Sequence, residues 1–268
     1  MLLLLFALLS ALGCGVYIAS AGFVFWKAAL VFVGIYLGIH LLLLLFFWLV
    51  SLTVKPTEET KARNRLALFC VETIAELLME YGHAALEVEG EELLPKEGRF
   101  LLICNHRSLF DPVSLAARRR NYELAFLSKP ENMAIPIGGT LASAVGYMAI
   151  DRDNDRNALK SILAAADLLK RGLCSVCVYP EGTRSKTREL LPFHPGSFKI
   201  AQRGGVPLVI CGTHGTEKIR RNAPFRKTVV KLRILEVLPA EKVKAMNTQT
   251  LAEHSRDLIA AWLKEEEQ

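Results

Sequence analysis

A chain of 268 residues that is 51% hydrophobic, with 22% charged residues and a net charge of +6, is too apolar for an ordinary soluble domain. The excess sits at one end, because Lys27 is the only formally charged side chain from Met1 to Val54. That pattern excludes a disordered polar chain and points to a membrane-bound protein with a globular remainder.

A bilayer-crossing helix takes about 20 apolar residues, so the first segment predicts two spans, Leu2 to Ala21 and Ala28 to Val50, with a tight turn at Phe25 to Lys27. Ala19-Ser20-Ala21 has the small-x-small form of a signal-peptide cleavage site. No Lys or Arg precedes the apolar run, however, which favours a retained hairpin. Lys55, Lys61, Arg63 and Arg65 follow the second span against one lysine before it, so the remainder is expected on the cytoplasmic side of the cell membrane. His40, inside the second span and without a charged neighbour, is read as a helix-packing residue. The expected plan is a hairpin over residues 1–52, an amphipathic connecting helix over 53–84 and an α/β domain over 85–268.

In chain order, "ETKARNRLALFCVETIAELLMEYG" has helical apolar spacing and ends at Gly82. Short apolar runs then alternate with helical patterns. "RFLLIC", "ELAFLS", "YMAI", "SVCVYP" and "PLVICG" read as strands, with helices after Pro112 and across "NALKSILAAADLLKRG" and "GSFKIAQRGG". Continuously apolar strands separated by helices predict an α/β fold with a mostly parallel sheet covered by helices on both faces. "TVVKLRILEVL" alternates and is expected at a sheet edge, and "TLAEHSRDLIAAWLKEEE" closes the chain as a surface helix.

The six cysteines form no second CxxC beside Cys174 and Cys177, and that pair lies within an apolar strand, so neither zinc nor redox chemistry is expected. Between Lys218 and Arg233 seven cations occur with no acid. In a tethered protein this stretch reads as a surface for anionic headgroups or an acidic carrier protein, and not as a nucleic-acid site, because it lacks the repeated aromatic interleaving that stacks bases.

Polar clusters follow four of the strands, where open sheets of this type place ligands. The first is "NHRSLFD". Five residues of α-helix turn through about 500 degrees, so His106 and Asp111 would not share a helix face and a loop must fold between them. Asp111-Pro112 suits the start of the next helix, with aspartate capping and proline at the first helical position. The carboxylate then reaches one imidazole nitrogen and leaves the other as a general base. Ser108 and Cys104 stand as alternative nucleophiles, although no GxSxG is present. In "YPEGTRSK", Glu181 and Gly182 form a turn beside Arg184, whose guanidinium suits a phosphate. Lys129 and the Asp151-Arg152 pair add further anion ligands at strand ends.

These residues resemble the glycerolipid acyltransferases of the 1-acyl-glycerol-3-phosphate type, over roughly Leu86 to Leu238. Asn105, His106 and Asp111 match its NHxxxxD motif, Gly146 to Arg152 its second motif, Tyr179 to Ser185 its Phe-Pro-Glu-Gly-Thr-Arg-Ser motif with tyrosine first, and Val206 to Val209 its fourth. The resemblance implies catalysis by His106 and Asp111, and substrate binding by Arg152, Glu181, Gly182, Thr183, Arg184 and, less directly, Lys129. It further implies transfer of a fatty acyl group from a thioester of acyl carrier protein or coenzyme A to lysophosphatidic acid, with no metal and no cofactor beyond that co-substrate. Rival readings are the same chemistry on glycerol-3-phosphate or another lysolipid, a thioester hydrolase, and a non-catalytic lipid-binding protein.

Overall fold

The computed structural model describes residues 1–57, 63–118, 123–150, 155–185, 187 and 189–267. It divides into two compact units, Met1–Thr53 and Val54–Gln268.

The first unit is a pair of helices, α1 (Leu2–Ala21) and α2 (Phe25–Ser51). Their 20 and 27 residues are long and apolar enough to cross a membrane. The chain reverses at Gly22, where φ is +79°. Helix α2 therefore starts at Phe25, within the segment expected to form the turn. Small residues let the two helices approach, as Gly13 lies against Ile35 and the Cys14 thiol donates to the Ala28 carbonyl. His40 packs edge-on against Phe6, with Nδ1 2.7 Å from the Tyr36 carbonyl oxygen.

The second unit begins with α3 (Arg65–Tyr81), capped by the Asn64 side chain, which accepts from the Ala67 N–H. Among the described residues seven strands form one sheet: β1 (Ala84–Glu89), β2 (Leu101–Cys104), β3 (Leu124–Ser128), β4 (Met148–Ala149), β5 (Ser175–Val178), β6 (Leu208–His214) and β7 (Thr228–Leu238). Their spatial order is β1-β7-β6-β2-β5-β3-β4. From β6 to β4 every pairing is parallel, whereas β7 runs antiparallel to β6 and β1 parallel to β7. The fold is thus α/β with a mostly parallel sheet. The strand expected at the edge, β7, is covered by β1, whose alternating "ALEVE" holds too few apolar residues to stand out in the sequence.

Alternate residues of the central strands fill two cores. Leu101, Ile103, Val176, Val178 and Ile210 face α7 (Asp155–Lys170), α8 (Lys199–Gly204) and α11 (Thr248–Glu266). Leu102, Cys104, Phe126, Cys177 and Val209 form the opposite core with Leu115 of α4 (Phe110–Ala116). Helix α9 (Thr216–Asn222) leads from β6 into β7 and buries Ile219 with Met79 of α3 and Val230 of β7. The carboxyl ends of β2, β5 and β6 lie side by side in the middle of the sheet, and the polar loops leave from there.

Candidate active site

The loop between β2 and α4 carries His106, with Asp111 just after it in the first turn of α4, and is fixed by hydrogen bonds from three directions. Asn105, fully buried, accepts from the Thr213 N–H at 2.8 Å and donates to its carbonyl at 2.9 Å, which ties the loop to the end of β6. Glu181, just after β5, accepts from the His106 N–H at 2.6 Å and from the Leu191 N–H at 2.9 Å. The Ser185 N–H donates to the His106 carbonyl at 2.8 Å, so the two motif loops hold each other.

Asp111 is buried without exposure, and its carboxylate is saturated. Oδ2 lies 2.8 Å from Nδ1 of His106 and accepts from the N–H groups of Arg107 and Ser108 at 2.8 and 2.7 Å. Oδ1 accepts from the Thr216 hydroxyl at the start of α9. Asp111 was expected as the residue before the helix. Instead it lies one residue inside α4, and its side chain turns back onto the preceding loop, where it takes up the Arg107 and Ser108 N–H groups.

With Nδ1 engaged by the carboxylate, the imidazole presents Nε2, which makes no protein hydrogen bond among the described residues. The ring stacks on Tyr179 at 4.3 Å between centroids and 23° between planes, and Tyr179 in turn stacks on Phe126. This apolar support fixes the ring plane while Asp111 fixes its rotation. A cavity of about 160 Å³ opens above, lined by His106, Lys129, Tyr179, Thr183 and Arg184 together with apolar Leu109 and Phe126. A larger cleft of about 830 Å³ shares Thr183 and Arg184 with it and adds Arg107, Lys218 and Arg221. Arg184 is therefore exposed where the two spaces meet.

His106, Lys129, Thr183 and Arg184 are brought to one cavity, with Asp111 directly behind His106. Gly182 forms the turn, with φ +72°, and a side chain there would press on His194, 3.0 Å from the position of its β-carbon. Glu181, expected among the binding residues, is only 3% exposed and uses both carboxylate oxygens on backbone N–H groups. Burial pushes its carboxyl above the ordinary carboxylate range, against the pull of those two hydrogen bonds. Arg152 lies outside the described residues.

The alternative nucleophiles are occupied. Burial raises the Cys104 thiol well above its ordinary value, and Ser108 Oγ donates to the Thr216 carbonyl and accepts from the Phe110 N–H. Sequence reasoning missed Thr216, whose only signal was a glycine and a hydroxyl after the apolar β6. Gly215 adopts φ +92°, and a β-carbon there would lie 2.4 Å from the Val229 carbonyl oxygen, so the position takes glycine on both counts. It also missed that Tyr179 underlies the imidazole.

Residues 85–213 match the family model described as Acyltransferase. A 1-acyl-sn-glycerol-3-phosphate acyltransferase of Chlamydomonas reinhardtii is 31% identical over 179 residues, 66% of this chain and 52% of the relative. One of Salmonella typhimurium is 32% identical over 166 residues, 60% of this chain and 66% of the relative. The chain thus spans a little over half to just under two thirds of the length of these relatives. The crystal structure of a 1-acyl-sn-glycerophosphate (LPA) acyltransferase from Thermotoga maritima superposes with a TM-score of 0.64, covering 98% of this chain and 95% of that one at 23% identity, a likeness of fold. The paired His106 and Asp111 lie within the matched segment, which is an acyltransferase-family domain of this chain.

Proposed function

We propose that this protein transfers a fatty acyl group from a thioester to the free hydroxyl of 1-acyl-glycerol-3-phosphate, forming phosphatidic acid. The observation that carries the reading is an imidazole held at Nδ1 by a buried carboxylate and lining a cavity that Arg184 and Lys129 also line. Relatives named for this reaction support the same assignment.

In this reading Nε2 of His106 takes the proton of the acceptor hydroxyl as its oxygen attacks the thioester carbonyl. Asp111 stabilises the imidazolium and keeps the proton-bearing Nδ1 turned inward. Collapse of the tetrahedral intermediate breaks the carbon–sulfur bond, and the imidazolium returns its proton to the departing thiolate. Arg184, Thr183 and Lys129 bind the acceptor phosphate, joined by Arg152, and Gly182 shapes the turn that presents them. Glu181 acts as a positioning residue through the His106 backbone. The donor is a thioester of acyl carrier protein or coenzyme A, and no metal or other cofactor takes part. Two apolar helices hold the enzyme in the cell membrane, with the α/β domain on the cytoplasmic side.

Purified protein given labelled thioester and a panel of acceptors tests the reading. Phosphatidic acid is expected from lysophosphatidic acid, with slower or no transfer to glycerol-3-phosphate. Arg184→Ala should raise the acceptor KM by about tenfold or more, the scale of a lost charge-assisted contact. An unchanged KM in that variant removes Arg184 from the phosphate site.

A further inference from the structure

The turn between α9 and β7 holds an aromatic side chain that no described residue covers. Phe225 is 91% exposed, after Pro224 and before Arg226 and Lys227. A single exposed apolar residue is unremarkable on its own. Here its surroundings decide, because Arg220, Arg221, Arg226 and Lys227 are all exposed and the sequence from Lys218 to Lys231 contains no acid.

The position of the turn is also informative. Strand β6 ends at His214, and β7 returns antiparallel with Lys231 opposite His214, so residues 223–227 overhang the carboxyl ends of the parallel strands. Those are the ends from which the His106 and Glu181 loops leave. Tyr81, 45% exposed at the end of α3, belongs to the same side, since Gly82 packs under Ile219 of α9 and the His83 carbonyl accepts from the Thr228 N–H. Leu109, at the mouth of the His106 cavity, and Ile135, after β3, are exposed on segments leaving the same ends.

This face therefore presents separate apolar tips among cations. A folded protein partner would need a matching pocket for each tip, whereas a bilayer accepts isolated tips below its headgroups while cations meet the lipid phosphates. We propose that Phe225, Arg226 and Lys227 seat the carboxyl end of the sheet on an anionic lipid surface, so that the His106 cavity opens toward the bilayer. The proposal deepens the lysolipid reading and rests on it only for the purpose of the docking. The helices of the first unit keep the domain near a membrane by chain connection, and the turn supplies orientation at high effective concentration.

The full chain in vesicles of phosphatidylglycerol and phosphatidylcholine tests this. Phe225→Trp adds one indole to Trp26, Trp48 and Trp262. The added fluorescence is expected to shift to shorter wavelength and to be quenched by lipids brominated on the acyl chains, but not by aqueous iodide. In Arg226→Glu/Lys227→Glu carrying the same Phe225→Trp change, that quenching should be lost. The charge-reversed pair alone should raise the KM for vesicle-borne acceptor by about tenfold or more, given roughly 1 kcal/mol per cation at an anionic surface, and leave it unchanged in detergent micelles. Quenching by iodide and not by brominated chains overturns the proposal. Protection from iodide by added acyl carrier protein, with brominated lipid without effect, overturns it in favour of an acidic protein partner. A wild-type protein without acyl transfer refutes the lysolipid reading, while the fluorescence result still decides the docking.

Discussion

At the scale of single residues, the site depends on a carboxylate that does four things at once. Asp111 accepts from His106 Nδ1, two backbone N–H groups and the Thr216 hydroxyl. Asp111→Asn keeps the volume but sets an amide N–H against those donors, so turnover should fall by about 10³-fold or more with acceptor binding retained. Near-normal turnover in that variant would remove Asp111 from the reaction. Glu181 offers a test by pH. Burial raises its carboxyl above the ordinary 4.5, so the folded chain holds this proton where the unfolded chain has released it. Its contribution to stability is present below 4.5 and declines as pH rises through the raised native value. Thermal unfolding of Glu181→Gln across acid to neutral pH should lose that component, and turnover should drop roughly ten- to hundredfold as two charge-assisted hydrogen bonds are disrupted. Coincident pH dependence of the two proteins would contradict this role.

Legibility at this scale follows sequence distance. His106 and Asp111 are five residues apart, and the chain between them is short enough that a turn must join them. Thr216 lies 105 residues beyond Asp111 and is brought to it only by the pairing of β2 with β6. The role of Glu181 was hidden for the same reason, because its partner, the His106 N–H, is 75 residues away.

Among the elements, the continuously apolar strands were plain in the sequence because both faces are buried. Strand β1 was not, since Glu87 and Glu89 alternate with its apolar residues at the sheet edge. The packing of α11 on β6 is equally hidden and can be tested directly. A β-carbon at Gly212 would sit 2.2 Å from the Trp262 ring, so Gly212→Ala must displace that helix. Overpacking of this kind costs about 1–3 kcal/mol. A lowered Tm is expected, with wild-type acceptor KM in the folded fraction. An unchanged Tm would mean that α11 yields freely.

For the whole molecule, composition alone separated an apolar hairpin from an α/β domain, and the two compact units divide at Thr53 and Val54. The break between the helices was misplaced by about one turn, because Gly22 ends α1 while Phe25 and Trp26 are as apolar as the helix that they begin. Each of the two helices is long and apolar enough to cross a membrane, and Lys27 is the only charged side chain in either. The protein should therefore remain with membranes in high salt and leave only with detergent. Release by salt alone would contradict the spanning hairpin.

The central claim is that His106 removes the proton from a lysolipid hydroxyl. Single-turnover transfer from a labelled acyl thioester to lysophosphatidic acid, measured for wild type and His106→Ala beside acceptor binding, tests it most directly. The account predicts labelled phosphatidic acid from the wild type, and from the variant intact acceptor binding with transfer reduced by about 10²-fold or more. Equal rates in the two proteins, or no transfer by the wild type, would contradict it.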